Sequence, residues 1–179
     1  AKDFQSLGFL SINQDISPII PVLKEVLGGS LGEEVQSFYS LSDMANDAVA
    51  LLNFLGYESA HIVGVSMGGM IAQTLAIEHP NCARSLTSIG SVTGAPELFT
   101  PTEEALEAII GDTPETREEI IRANVIGSRA LAGPLWDEEY ATLLAERNYD
   151  RSFFPEGVGF QIGAIAMSGD RTTRLTALK

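Results

Sequence analysis

The chain has 179 residues with 24 Asp and Glu against 11 Lys and Arg, a formal net charge of −13 at pH 7. That charge repels nucleic acid and anionic membrane surfaces, so neither is expected as a partner. A single cysteine, Cys82, excludes an intrachain disulfide and a Cys-rich zinc site. No stretch reaches the ~18 apolar residues of a membrane span, and no signal-peptide pattern opens the chain, so a cytoplasmic protein is expected.

In chain order, Phe9-Leu10-Ser11-Ile12 reads as a weak strand, and residues 18–32 as a loop with at most a short helix. The first clear helix starts at Ser40. Ser40 with Asp43 three residues on resembles a capping box, and apolar residues at Leu41, Met44, Ala45, Ala48, Leu52 and Leu55 fall on one helix face. Gly56 stands where a helix ends. Ala60-His61-Ile62-Val63-Gly64-Val65 reads as a buried parallel strand, covered on both faces. A second helix runs from Met67 to about His79 and stops at Pro80, and residues 85–92 read as another strand. Helix, strand, helix, strand with short joints implies a parallel α/β sheet. Beyond it, Thr100-Pro101-Thr102-Glu103 and Thr113-Pro114-Glu115 read as helix starts, with further helices near 137–147 and 155–168. Successive helices without a strand do not extend a sheet, so they read as a helical cap over it. The expected division is a core at 1–97, a cap at 98–170, and a return toward the core at 171–179.

One motif carries chemistry. Gly64-Val65-Ser66-Met67-Gly68 is a G-x-S-x-G, with Gly69 extending it, at the junction of the strand and the second helix. That is the setting of a nucleophile elbow. A sharp turn there strains Ser66 and requires small neighbours two residues before and after, Gly64 and Gly68. The Ser66 hydroxyl would stand clear of the strand end as nucleophile. The Met67 N–H, at the helix N-terminus, would donate to a developing oxyanion. The competing reading is a glycine-rich turn with an inert serine. A phosphate-binding reading is weaker, because no G-x-x-x-x-G-K-[ST] occurs and Gly64 to Gly69 lack the G-x-G-x-x-G spacing.

A serine nucleophile needs a base. His79 lies thirteen helical residues beyond Ser66, ~20 Å away at ~1.5 Å per residue. His61 lies five strand residues before it, ~16 Å away at ~3.3 Å per residue. These are the only two histidines in the chain. Lys2, Lys24 and Lys179 belong to no motif. Asp112, Asp137, Asp150 and Asp170 sit at helix boundaries, where capping and turn roles explain them. The paired glutamates, such as Glu138-Glu139, read as solvated helix faces. Trp136, Phe153, Phe154 and Phe160 are candidates for an acyl pocket or for packing between cap and core.

The stretches Tyr39-Ser40-Leu41-Ser42-Asp43-Met44 and Ala60-His61-Ile62-Val63-Gly64-Val65-Ser66-Met67-Gly68-Gly69-Met70-Ile71-Ala72-Gln73, with Tyr149-Asp150-Arg151 and Ala166-Met167-Ser168-Gly169-Asp170-Arg171-Thr172, resemble the α/β-hydrolase fold family. Within it they resemble the methylesterase-like branch. The resemblance covers residues 39–179 and implies a partial α/β-hydrolase fold, shortened at both ends, with a helical cap. In that family the order is serine, acid, histidine, so it implies that the acid and histidine lie outside this chain. It implies hydrolysis of a small-molecule carboxylic ester by a longer parent, without metal or organic cofactor, the present chain being inactive or nearly so. Two other readings stand beside it: a proline-iminopeptidase-like peptidase, and a non-catalytic binding module or inert fragment. Unpaired sheet edges would favour self-association.

Overall fold

A computed structural model describes residues 38–95, 98, 102 and 114–178. The strand expected at residues 9–12, the loop at 18–32, Lys2, Lys24, Lys179 and Asp112 lie outside them, as does the helix start at 100–103 apart from Thr102.

Helix α1 is Leu41–Phe54, and its start is fixed locally. The Asp43 N–H donates to Ser40 Oγ (3.2 Å) while the Ser40 N–H donates to Asp43 Oδ2 (2.8 Å), which completes the capping box. Gly56 follows with φ +78°, the left-handed residue that ends the helix. Strand β1 (Ala60–Val65), helix α2 (Met67–Glu78) and strand β2 (Ala83–Ile89) form a parallel crossover, with Ile62 opposite Leu86 and Val65 opposite Ile89. Strand β2 starts and stops two to three residues earlier than its pattern suggested. Gly90, at φ +53°, turns the chain out of the strand.

Helix α2 is the centre of the molecule: seven of its twelve residues are buried, between α1 on one side and the sheet on the other. Strand β1, which its apolar run presents as covered on both faces, is covered on one. Only alternate residues are covered; Val63 and Val65 are 63% and 61% exposed. The reason is the pleat. Ala60, Ile62 and Gly64 face α2, while His61, Val63 and Val65 share the opposite face with Ser85, Thr87 and Ile89, which no described element covers.

Among the described residues three further helices follow, α3 (Arg117–Leu131), α4 (Glu138–Arg151) and α5 (Pro155–Met167), then a single turn, α6 (Thr172–Leu175). The start of α3 lies at Thr116, not Thr113, because Thr116 and Glu119 form their own capping box and Pro114-Glu115 precedes the helix. Helices α3 and α4 pack together, tied by a bidentate Arg117–Asp150 pair at 2.9 and 2.8 Å. Helix α5 joins the main core. Its Ala164 clusters with Leu41 and Met70, flanked by Tyr39, Met67, Val92 and Ile165. Among the described residues no helix is long and apolar enough to cross a membrane.

Four carboxylates are held below the ordinary carboxylate range. Hydrogen bonds from the side chain and backbone of Ser40 do this for Asp43, and the Thr116 backbone and hydroxyl for Glu119. Arg117 does it for Asp150, and the Thr172 hydroxyl and N–H for Asp170. Near pH 4 the unfolded chain therefore binds more protons than the folded one, and stability rises with pH there. Their contribution is complete above about pH 5 and is lost as pH falls through the depressed folded values. Urea midpoints between pH 6 and pH 3 should fall on the acid side; a flat profile would contradict this.

Candidate functional site

Ser66 stands between β1 and α2. Its backbone has φ +53° and ψ −122°, and it is the one non-glycine residue with positive φ among the described residues. Such a conformation costs a serine about 1–3 kcal/mol and persists only where the surroundings impose it. Here they do. The Ser66 N–H donates to the Ile89 carbonyl at the end of β2 (3.0 Å). The Ser66 carbonyl accepts from the N–H groups of Gly69 (2.9 Å) and Met70 (3.3 Å), which begins the helix. The side chain is exposed, and its hydroxyl makes no capping bond. Met67 is the first helical residue, so its N–H has no acceptor within the helix.

The glycines divide their roles differently from the motif's symmetry. A Cβ on Gly64 would collide with the Gly68 carbonyl, so Gly64 is required. A Cβ on Gly68 meets nothing among the described residues. The second crowded position is Gly69, whose Cβ would lie 2.6 Å from Ser91 Cβ and 2.8 Å from Ser88 Oγ. Gly68 thus serves through its backbone, against which Gly64 packs, and the side-chain constraint falls one residue later. Gly69 meets Ser88 of β2 and Ser91 just after it, which the pentapeptide cannot register.

Neither histidine reaches Ser66. His61 Nδ1 lies 2.8 Å from Ser85 Oγ across the exposed face of the sheet. His79 closes α2 at the opposite end, with Nε2 2.8 Å from Asn46 Oδ1. The aspartates are engaged as well. Asp137 caps α4 by accepting from the Tyr140 N–H (2.8 Å), and Asp170 accepts from the Thr172 N–H (2.8 Å). Asp150 holds Arg117 instead of capping a helix.

Trp136, Phe153 and Phe154 line an open groove of about 930 Å³ between α3 and α4, with Leu131, Leu135 and Leu144. Phe160 lies elsewhere: it meets Phe38, Tyr39 and Phe154 edge-on or tilted. Ser66 is not part of the groove wall.

Two hydrogen-bonded polar residues that the motif did not mark, Gln73 of α2 and Arg171, lie buried. Gln73 is 4% exposed and Arg171 is 2% exposed. Gln73 Nε2 donates to Ser88 Oγ (3.0 Å), and Arg171 Nε donates to Gln73 Oε1 (3.3 Å). Burial pushes the Arg171 guanidinium below the ordinary arginine value, with nearby Asp170 opposing the shift. Helical spacing marks Gln73, because residues 66, 69, 70 and 73 share one face. Nothing local marks Arg171.

Residues 18–159 match the α/β-hydrolase fold family. A 2-hydroxy-6-oxononadienedioate/2-hydroxy-6-oxononatrienedioate hydrolase of Paraburkholderia xenovorans is 27% identical over 157 residues, 82% of this chain and 54% of the relative. A protein of the same name from Paraburkholderia phymatum is 29% identical over 138 residues, 74% of this chain and 48% of the relative. An AB hydrolase superfamily protein of Gibberella zeae is 52% identical over 42 residues, 24% of this chain and 15% of the relative. The chain thus spans about half the length of the first two relatives. With a parallel β–α–β unit and this family match, the chain belongs to the α/β-hydrolase fold family.

Proposed function

We propose that this chain carries the nucleophile of a serine hydrolase, with Ser66 attacking the carbonyl of a carboxylic ester. The observation behind this is the positive-φ serine between a strand and a buried helix, with its hydroxyl free of capping. The Met67 N–H and the positive end of the α2 dipole would stabilise the oxyanion. Attack requires the hydroxyl proton to leave for a base, and both histidines are engaged far from Ser66. The base and its acid partner are therefore assigned to residues of a longer enzyme, in keeping with relatives about twice this length. The names of those relatives support a second substrate class, 2-hydroxy-6-oxo dienedioates and trienedioates, whose carbonyl the same serine would attack.

The test has two arms. In the longer enzyme, a fluorophosphonate should modify Ser66, and Ser66→Ala should abolish ester turnover. Modification of a different serine, or turnover surviving in Ser66→Ala, overturns the assignment. The 179-residue chain alone should hydrolyse a p-nitrophenyl ester at close to the uncatalysed rate. Turnover typical of a complete triad would show that a base is already present.

A further inference from the structure

The chain leaves β2 through residues 91–95 and comes back from α5 through residues 168–172, and these two segments lie side by side. The Arg171 N–H donates to the Thr93 carbonyl (2.9 Å), and the Thr93 and Thr172 hydroxyls are 2.6 Å apart. Gly94 (φ +90°) is close enough to Gly169 (φ +64°) that a Cβ on the former would strike the carbonyl of the latter. The Arg171 guanidinium sits at this crossing. Besides Gln73, its Nη1 donates to Ser168 Oγ (2.8 Å) and the Gly169 carbonyl (3.3 Å), and Nη2 to the Val92 carbonyl (3.3 Å).

Every one of these acceptors is neutral. The two ion pairs among the described residues are Arg117–Asp150 and Arg174–Glu78, and Arg171 is in neither. A buried cation in no ion pair, with Asp170 acting on it only through space, is a costly way to fill a core. Its distinguishing property is the planar fork, which holds acceptors from several directions in one geometry. Here the fork spans α2, the exit from β2 and the turn after α5. Gln73 lies seven residues after Ser66 on the same helix face, and Met67 and Met70 near that end touch the cluster containing Ala164 and Ile165 of α5.

We propose that Arg171 is a positioning residue for the Ser66 turn: it joins α2 to the two crossing segments and so sets where the N-terminus of α2 stands against α5. The proposal concerns geometry and holds whatever substrate Ser66 serves. None of its readouts involves hydrolysis, so its failure is distinguishable from failure of the hydrolase assignment.

The experiment uses the four methionine methyl groups and the single tryptophan as NMR probes, with amide exchange by mass spectrometry. In Arg171→Leu, the Met67 and Met70 methyl resonances should move while the Trp136 indole N–H stays in place. Exchange over residues 66–73 and 91–95 should quicken by about tenfold, with α4 unchanged. A lower melting temperature with Met67 and Met70 unmoved would make Arg171 merely structural and overturn the proposal. Should that variant not fold, Gln73→Glu keeps the shape and supplies a carboxylate facing the guanidinium. A charge-assisted bond is roughly twice as strong as a neutral one, so exchange over 91–95 and 168–172 should slow by about tenfold. Exchange left unchanged or made faster would overturn the proposal equally.

Discussion

Gly64→Ala should destabilise the chain by about 3 kcal/mol, while Gly68→Ala, four residues away in the same motif, should leave it unchanged or up to about 1 kcal/mol more stable. The added methyl is the same; the surroundings differ. At Gly64 it would enter the backbone of the next turn, against the Gly68 carbonyl and 2.6 Å from the Gly69 nitrogen. Backbone atoms at a strand-to-helix junction cannot swing aside as a side-chain tip can. The clash is relieved only by moving α2 off β1, and seven of the twelve residues of α2 are buried. At Gly68 the methyl meets nothing among the described residues, and alanine is the better helix former. Urea midpoints of the two variants check the pair. Equal effects would mean that the turn is held by something other than the contact between Gly64 and Gly68.

Ser66→Gly should be more stable than the parent chain by about 1 kcal/mol, an upward melting shift of about 2–4 °C for a protein of this size. Glycine occupies φ +53° without a Cβ penalty, and the conformational entropy it adds to the unfolded chain offsets only part of that relief. Ser66→Ala keeps the Cβ and the strain and should melt close to the parent chain. The hydroxyl contributes no capping bond whose loss would obscure the comparison. Thermal melts of the three proteins decide it. A glycine variant less stable than the alanine variant would show that no strain is stored at this position. The serine is a poor choice for the backbone it occupies.

Much of this is legible in the sequence alone. The Ser40–Asp43 box, the stop at Gly56, the Asp137 cap and the helix broken at Pro80 all depend on residues within four positions of one another, so short-range chemistry dictates them. The turn at Ser66 was equally local, a strand's apolar run meeting a helix across small residues. The distance of both histidines from Ser66 followed from the rise per residue of a helix and of a strand. The misplaced start of α3 was a local ambiguity, since two threonines three apart each lead toward an acidic residue, and the box formed at Thr116.

Contacts between distant segments were beyond that kind of reading. An apolar run cannot tell a strand covered on both faces from one whose Val63 and Val65 stand open, because coverage depends on which elements arrive later. Gly69 is crowded by Ser88 and Ser91, about twenty residues on. The aromatic candidates parted ways, Trp136, Phe153 and Phe154 to the groove between α3 and α4 and Phe160 to Phe38 and Tyr39. Arg171, which its own stretch of chain presents as an ordinary polar turn residue, is buried against Gln73, 98 positions earlier. Local spacing settled the elements and the strained serine at their junction, because those are decided within a turn or two of backbone. The tertiary fold alone decided which glycines are obligatory and which cation lies buried against the serine's helix. Steric exclusion and burial are properties of atoms brought together from remote parts of the chain.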